Sequence, residues 1–151
     1  MDECGVNTSL QREYARSPKG KPVEDVKRGN KYERTNVIGV RCKKGHHAVK
    51  CYKQTTDAAF FESWFKECLL KEIPHGEGYT IIMDNAKFHR KEILRKIARG
   101  KVRLLFLPPY SPDYNPIEKS WANMKRHLRD SIKNFESVDS AIYDYFRVPA
   151  T

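Results

Sequence analysis

The sequence contains no long apolar run. None of its apolar stretches approaches the roughly 20 residues that a membrane-spanning helix needs, and the acidic start Met1-Asp2-Glu3 lacks the apolar region of a secretion signal. The four cysteines are scattered, with no CxxC pair and no dense disulfide framework. We therefore expect a protein that is not exported and that works in a reducing compartment.

The sequence is also short of acidic residues. It has 19 Asp and Glu against 29 Lys and Arg, which gives a formal net charge of +10 at pH 7. A basic excess of this size indicates a polyanionic partner, most commonly nucleic acid, although a merely soluble basic protein is the alternative. Hydrophobic residues make up 39% of the 151 positions, which is enough for the core of one domain and excludes wholesale disorder.

Hydrophobic periodicity predicts one mixed-sheet α/β domain spanning 1–151. It comprises a basic, loop-rich start at 1–33, a core at 34–130 and a C-terminal helix within 131–151. A hairpin is predicted because Lys43-Lys44-Gly45 separates two apolar segments. Thr55 or Thr56 is the expected cap of the first helix. The other predicted elements are helices at 57–72, 87–99, 116–129 and 138–146, and strands at 79–83 and 102–107 that are buried on both faces.

Two acidic residues occupy positions that favour chemistry. Asp84 follows a buried strand, at the sheet edge where α/β proteins bind ligands. Glu118 lies in the first turn of a helix whose likeliest first residue is Pro116, after a loop stiffened by three further prolines. Two simpler interpretations stay open: Asp84-Asn85 caps the next helix, and Glu118 complements the helix dipole.

Three sequence motifs resemble those of bacterial insertion-sequence transposases related to the mariner group. The segment Asp84-Asn85-Ala86-Lys87-Phe88-His89 resembles their DNAxxH motif. The segment from Leu107 to Glu118, with Trp121 and Lys125, resembles LPPYSPDxNPIExxWxxxK almost letter for letter. The start resembles their DExG…Y…P.G block through Asp2-Glu3-Cys4-Gly5, Tyr14, Pro18 and Gly20. The resemblance spans roughly residues 2 to 130, in the family's order.

The resemblance implies an RNase H-like fold and a DDE transposase, which cleaves DNA at transposon ends and joins 3′-hydroxyl ends to target DNA. It implies that Asp2, Asp84 and Glu118 are both catalytic residues and ligands of two Mg²⁺ or Mn²⁺ ions. Glu118 lies 34 positions after Asp84, a spacing typical of the group. It further implies transposon-end and target DNA as partners, a dimer in the active complex, and a cytoplasmic bacterial enzyme associated with the nucleoid.

The chemistry agrees with that assignment. A phosphodiester has a poor leaving group and an anionic transition state, and two divalent ions about 3.5–4 Å apart stabilise both the attacking and the departing oxygen. Mg²⁺ prefers hard oxygen ligands and binds through few carboxylates, so no nucleophilic side chain is required.

Several other residues are candidates for supporting roles. By resemblance His89 lines the site and contacts the scissile phosphate, with a surface helix histidine as the alternative. Asn85 orients Asp84 or contacts DNA, with a helix cap as the alternative. Zinc binding by Cys42, His46, His47 and Cys51 is disfavoured, because C-x3-H-H-x3-C is not a standard finger. The candidate DNA-binding residues are basic positions in two stretches, with a solvated surface as the alternative for the second: Lys19, Lys21, Lys119, Lys125, Arg126 and Arg129.

Two rival functions remain at this stage: a catalytically inactive DNA-binding remnant, and an RNase H-like nuclease. The family's end-binding helix-turn-helix region is absent from the sequence, and only Met1 precedes Asp2. We therefore predict a truncated first strand and a frayed Asp2, which would weaken metal binding and impair activity until upstream residues are added.

Overall fold

The computed structural model describes residues 1–7, 17–21, 34–74, 78–109 and 111–148. The described helix that follows the hairpin contains a π-helical turn at Phe65–Leu69, and short 3₁₀ turns lie at Pro112–Tyr114 and Ile132–Asn134. In chain order, the strands and α-helices are β1 (Asp2–Asn7), β2 (Arg34–Cys42), β3 (Gly45–Tyr52), α1 (Ala58–Trp64), α2 (Leu70–Glu72), β4 (Thr80–Met83), α3 (Lys91–Ala98), β5 (Arg103–Phe106), α4 (Ile117–Ser131) and α5 (Val138–Phe146).

The strands form an antiparallel part and a parallel part. β1, β2 and β3 pair in that order and antiparallel, whereas β4 and β5 pair in parallel. The amino group of Met1 donates to the carbonyl oxygen of Ile82 at 2.7 Å, so the start of β1 lies beside β4. Helices cover both faces of the antiparallel part, and the expected mixed α/β fold is therefore confirmed.

The helical segment from α1 to α2 covers one face of the sheet. Its apolar stripe of Phe61, Trp64, Phe65 and Leu69 is buried and packs against β2, β3 and β4, as the predicted periodicity requires. Its cap is Asp57, whose side chain accepts from Phe60 N at 2.7 Å, and not Thr55 or Thr56 as expected.

Helices α4 and α5 cover the other face. Trp121, Met124 and Leu128 of α4 are buried against β1 and β2, and the same cluster includes Val138 and Ile142 of α5. A reciprocal capping box between Ser137 and Ser140 fixes the start of α5. The predicted boundaries of α5 are confirmed, and α4 runs two residues beyond the predicted end.

Side chains occupy the outer backbone groups of β3, the edge strand of the antiparallel part. Ala48 N donates to Glu72 Oε2 at 3.0 Å, and Trp64 Nε1 donates to Ala48 O at 2.9 Å. Further along, Cys51 N donates to the Tyr143 hydroxyl at 3.0 Å. These bonds tie the edge strand to helices on both faces of the sheet.

The segment 1–33, predicted as a loop-rich start with a truncated first strand, begins with a strand of six residues. Asp2–Asn7 forms β1, which pairs residue for residue with β2, and Asp2 lies opposite Gly39. Asp2 is only 9% exposed, so the prediction of a frayed terminus is also wrong. Residues 8–16 and 22–33, including Tyr14 of the third motif, lie outside the described residues.

Two further expectations are corrected. β4 and β5 are not buried on both faces, because Ile82 and its partner Leu105 are 37% and 50% exposed. α3 begins at Lys91 and not at 87, because a turn occupies the preceding residues: Asp84 Oδ1 accepts from Ala86 N, and His89 N donates to Ala86 O. None of the described helices is long and apolar enough to cross a membrane.

Candidate active site

Three carboxylates from three separate elements line one open pocket of about 510 Å³. Asp2 comes from the start of β1, Asp84 directly follows β4, and Glu118 lies in the first turn of α4. The structure thus brings together three acids, of which the first and the last are more than a hundred positions apart in the sequence. The remaining lining residues are Asn85, Ala86, Lys87, Leu107, Pro108, Pro109, Ser111 and Asn115.

Local geometry fixes the edge of the sheet at which the pocket lies. Since β4 and β5 are parallel, their carboxyl ends meet, and Leu107 N donates to Met83 O at 2.8 Å beside Asp84. The proline-rich loop then crosses to α4. Its Asn115 is buried, and the Asn115 side-chain amide donates to Met1 O at 3.3 Å, which ties the loop to the residue before Asp2.

Alternation along β1 sends two neighbouring acids to opposite faces of the sheet. Asp2 is on the face covered by α4, where Trp121 Nε1 donates to Asp2 Oδ2 at 3.1 Å. Glu3 is on the other face, where its Oε1 lies 3.7 Å from Nε2 of His89. Glu3 Oε1 and His89 Nε2 are both buried, and neither has a hydrogen-bond partner among the described residues.

The Asp2 carboxylate lies in a crowded, negatively charged part of the pocket. Burial, followed by the negative charges of Glu118 and Glu3, raises the pKa of Asp2 to about 7, against smaller lowering by a backbone hydrogen bond and by the Trp121 hydrogen bond. Within the described residues, no three His, Cys, Asp or Glu side chains converge tightly enough to enclose an ion by themselves. Mg²⁺ keeps much of its water and needs few carboxylates, so an open pocket of hard, crowded oxygens suits it.

His89 is buried beneath the pocket, not on a helix surface. Its side chain is 1% exposed and lies between the rings of Phe61 and Phe88, at centroid distances of 4.2 and 4.6 Å. Its Nδ1 lies 3.1 Å from Asp84 Oδ1. Burial lowers the pKa of His89, but the neighbouring carboxylates of Asp84 and Glu3 outweigh this effect and raise the pKa to about 9, while His89 lowers the pKa of Asp84. The surface alternative is therefore wrong, and the expected phosphate contact stays a prediction.

Neither Asp84 nor Asn85 of the DNAxxH segment caps the helix that follows it. Asp84 accepts from Ala86 N within a turn, whereas α3 begins seven residues later at Lys91 and has no side-chain cap. Asn85 is exposed and lines the pocket. Pro116 is the cap residue of α4 and not its first helical residue, and Arg41 donates to its carbonyl oxygen at 2.9 Å.

Comparison with known proteins assigns the family. The family profile described as DDE superfamily endonuclease matches residues 1–140. The chain belongs to the DDE superfamily of endonucleases. Two solved structures share the fold of this DDE endonuclease. The Mos1 transposase paired-end complex with left transposon end has a TM-score of 0.68 and 19% identity, covering 99% of this chain and 47% of that chain.

The second structure is the Mos1 Strand Transfer Complex, with a TM-score of 0.68 and 19% identity over 98% of this chain and 46% of that chain. The DDE endonuclease therefore spans about half the length of the Mos1 chains that it matches. No curated protein sequence matches it significantly. The resemblance to DDE transposases and the RNase H-like fold expected from the sequence are confirmed.

The predicted DNA-binding residues of the DDE endonuclease lie in two places. Lys19 and Lys21 are exposed in the short described segment 17–21. On α4, Lys125 is half-buried beside Cys4, where its positive charge lowers the pKa of a thiol that burial raises. The other three positions of the set are exposed on the same helix: Lys119, Arg126 and Arg129.

Sequence reasoning missed the most basic stretch of the chain. Residues 87–103 contain eight Lys and Arg against the single acid Glu92, and the stretch starts at the pocket with Lys87. Arg90 forms a two-fold hydrogen-bonded pair with Glu62, and Lys91 and Arg95 lie 5.2 and 5.5 Å from the centre of the Phe106 ring. A count of charge in short windows would have found this stretch.

The histidines of the disfavoured zinc pattern lie in different surroundings. The ring of His46 packs on Phe146 at a centroid distance of 4.7 Å, whereas Nδ1 of His47 lies 3.6 Å from Glu72. Cys42 is exposed at the end of β2.

Proposed function

We propose that this DDE endonuclease is the catalytic domain of a transposase. It would cleave phosphodiester bonds at transposon ends and join the resulting 3′-hydroxyl ends to target DNA, using two Mg²⁺ or Mn²⁺ ions. The observation that carries the proposal is the meeting of Asp2, Asp84 and Glu118 around one open pocket with Lys87 at its border. Such a pocket offers the oxygen ligands that metal-dependent phosphoryl transfer uses.

Residues from other parts of the chain support the acids that would hold the metal ions. Asp2, Asp84 and Glu118 would hold the ions, which when bound activate the attacking oxygen and stabilise the departing one. Asp84 is oriented from below by His89, and the chain before Asp2 is held by Asn115. Because these supports come from the turn before α3 and from the proline-rich loop, the acids are fixed by the folded domain and not by local sequence alone.

DNA would approach over the basic residues around the pocket. Lys119, Arg126 and Arg129 are exposed on α4, and the stretch 87–103 adds a second positive surface next to Asp84. Lysine and arginine contacts to phosphates position DNA without reading its sequence, so these surfaces suit the backbone near a scissile bond. Synapsis of two transposon ends would need two catalytic domains, which supports a dimer in the active complex.

The rival proposal of an inactive remnant loses its main argument. It rested on the short segment before Asp2, which was expected to leave this acid unsupported. Asp2 is instead buried, paired with β2 and hydrogen-bonded to Trp121. The geometry therefore favours a working metal site over a domain that only binds DNA.

The products of a single reaction separate the three candidate functions. The full chain would be incubated with Mg²⁺, a labelled duplex containing the end of the element that encodes it, and a circular target plasmid. A transposase gives cleaved ends and, in addition, label joined covalently to the plasmid. Cleaved ends without joining would indicate a nuclease, and salt-sensitive binding without cleavage would indicate the inactive remnant.

A further inference from the structure

Within the described part of the chain, the indole N–H of Trp121 donates a hydrogen bond to the carboxylate of Asp2. We propose that Trp121 is a positioning residue that fixes the orientation of the Asp2 carboxylate for metal binding. This inference rests on the proposed function, since it assumes that Asp2 is a metal ligand. From sequence alone, Trp121 is a residue of the proline-rich motif, and its position one turn after Glu118 predicts only packing of the helix against the sheet.

The bond joins two parts of the site that are far apart in sequence. Trp121 lies one turn after Glu118 on α4, and its Nε1 reaches Asp2 Oδ2 on β1 at 3.1 Å. Residues three apart on a helix share a face. The helix that presents one acid of the pocket therefore also orients a second acid, and the relative placement of Asp2 and Glu118 depends on a single rigid element.

The indole ring is held on its other sides independently of the carboxylate. Trp121 is 2% exposed, and Phe146 of α5 packs edge-on against it at a centroid distance of 5.8 Å and an angle of 88°. Its Cη2 lies over Gly39, where a Cβ would come within 3.5 Å of the ring and within 3.3 Å of Val49. Gly39 is also the strand partner of Asp2, so the ring is clamped directly beside the acid it orients.

The chemistry of an indole suits this task. An indole N–H donates and never accepts, so it fixes one carboxylate oxygen without competing for a metal ion. It carries no charge, so the carboxylate keeps its full attraction for a cation, which a lysine or arginine in the same place would cancel. Trp64 provides the contrast, because its buried N–H bonds to the backbone oxygen of Ala48 and not to a carboxylate.

The test uses the two tryptophans as probe and internal control. The full chain, labelled with ¹⁵N-tryptophan, would be titrated with Mg²⁺ while the two indole N–H signals are followed by NMR. We expect the Trp121 signal to shift on titration and the Trp64 signal to stay in place. In Asp2→Asn without metal, the Trp121 signal should already differ from wild type, because its acceptor has changed.

Calorimetry with Mn²⁺ measures the effect on affinity. Trp121→Phe keeps an aromatic ring but removes the donor, and loss of such an outer support lowers metal affinity by roughly 10–100-fold. Trp64→Phe removes the same kind of donor elsewhere and should leave the affinity unchanged. Circular dichroism would confirm that both variants are folded.

The outcomes distinguish the two levels of the argument. If wild type binds Mn²⁺ with Asp2-dependent affinity, but Trp121→Phe binds equally well, the positioning role is overturned and the metal site stands. If wild type binds no divalent ion, the proposed function fails and the inference fails with it. Should Trp121→Phe not fold, the NMR measurements still decide. If the Trp121 indole N–H signal shifts neither on addition of Mg²⁺ nor in Asp2→Asn, the proposal is refuted.

Discussion

His89 and Asp84 lie 3.1 Å apart, between Nδ1 and Oδ1, in a place where the histidine side chain is 1% exposed. The same ring faces Glu3 of β1 with its other nitrogen, 3.7 Å away. One buried imidazole thus lies between the acid at the end of β4 and an acid of β1. It connects the two parts of the sheet directly beneath the pocket.

His89→Ala should destabilise the domain. The change leaves the largely buried Glu3 carboxylate without its cationic neighbour. Because Asp84 is 48% exposed, the cost should fall below the roughly 3–5 kcal/mol that is typical of a fully buried pair. Urea unfolding followed by circular dichroism measures the change in the free energy of unfolding. His127→Ala is the matched control, because His127 is exposed on α4 and contacts only the ring of Tyr145 among the described aromatic pairs. Equal stabilities of the two variants would show that the buried pair contributes nothing.

Asp84→Asn and Glu118→Gln should abolish cleavage. Glu118→Gln should leave the fold nearly intact, whereas Asp84→Asn also removes the carboxylate beside His89 and should lower the free energy of unfolding. Each removes one metal-binding charge, and the loss of several kcal/mol of transition-state stabilisation corresponds to about a hundredfold or more in rate. The measurement is the initial rate of strand cleavage, with circular dichroism as the check on folding. Glu136→Gln removes an exposed acid before α5 and should cleave like wild type. A folded Glu118→Gln that retains more than a few per cent of the rate contradicts the assignment.

Mg²⁺ should stabilise the domain against urea. A ligand that binds only the folded state at about 100 times its Kd adds about 2.7 kcal/mol to the free energy of unfolding. This increase should disappear in Asp84→Asn, which lacks one of the proposed ligands. Stabilisation of equal size in the variant would place the ion outside the pocket.

DNA binding should be largely electrostatic and weakly selective for sequence. Each neutralised phosphate contributes about −0.9 to the slope of log K against log salt. Replacing Lys96, Arg99 and Arg103 together by Gln should reduce the magnitude of the slope, measured by fluorescence anisotropy. The control replaces Lys43, Lys44 and Lys133, which are exposed elsewhere and remove the same charge. If both triple variants change the slope equally, net charge and not the stretch 87–103 governs binding.

The cysteines should differ sharply in reactivity. Cys42 is exposed, whereas burial raises the pKa of Cys51 to about 12 and also raises that of Cys4. A raised pKa lowers the thiolate fraction near neutral pH, and the thiolate is the reactive form. Iodoacetamide labelling followed by mass spectrometry should modify Cys42 long before Cys51, and Cys42→Ser should remove the fast phase. Labelling of Cys51 at a comparable rate would contradict its burial.

Local signals explain which parts of the fold were predictable. The hairpin and α5 follow from short-range patterns: a Lys-Lys-Gly turn between apolar segments, and an apolar stripe with Ser137 before it. Hydrophobic patterning does not reveal β1, because only Cys4 and Val6 of its six residues are apolar and its stability comes from pairing with β2, which begins more than twenty-five positions later. The exposure of Ile82 and Leu105 likewise depends on which helices cover a sheet, which local sequence does not specify.

The candidate site likewise contains residues that local sequence identifies and residues that it does not. Asp84 and Glu118 were identifiable from their places at a strand end and a helix start, whereas Asp2 was proposed through the family resemblance alone. His89 contacts Phe61 and Glu3, which lie 28 and 86 positions before it, and Trp121 bonds to Asp2 across 119 positions. Such contacts have no signature in local periodicity.

The occupied edge of β3 has a consequence for assembly. An exposed edge strand is a template onto which another chain adds a strand, and this is a common origin of aggregation. On β3, the backbone N–H and carbonyl of Ala48 and the N–H of Cys51 are already bonded to side chains, namely those of Glu72, Trp64 and Tyr143. Addition of a strand at these positions would break bonds that the domain already makes, so we expect any contact between two copies to use other surfaces and to leave the sheet unchanged.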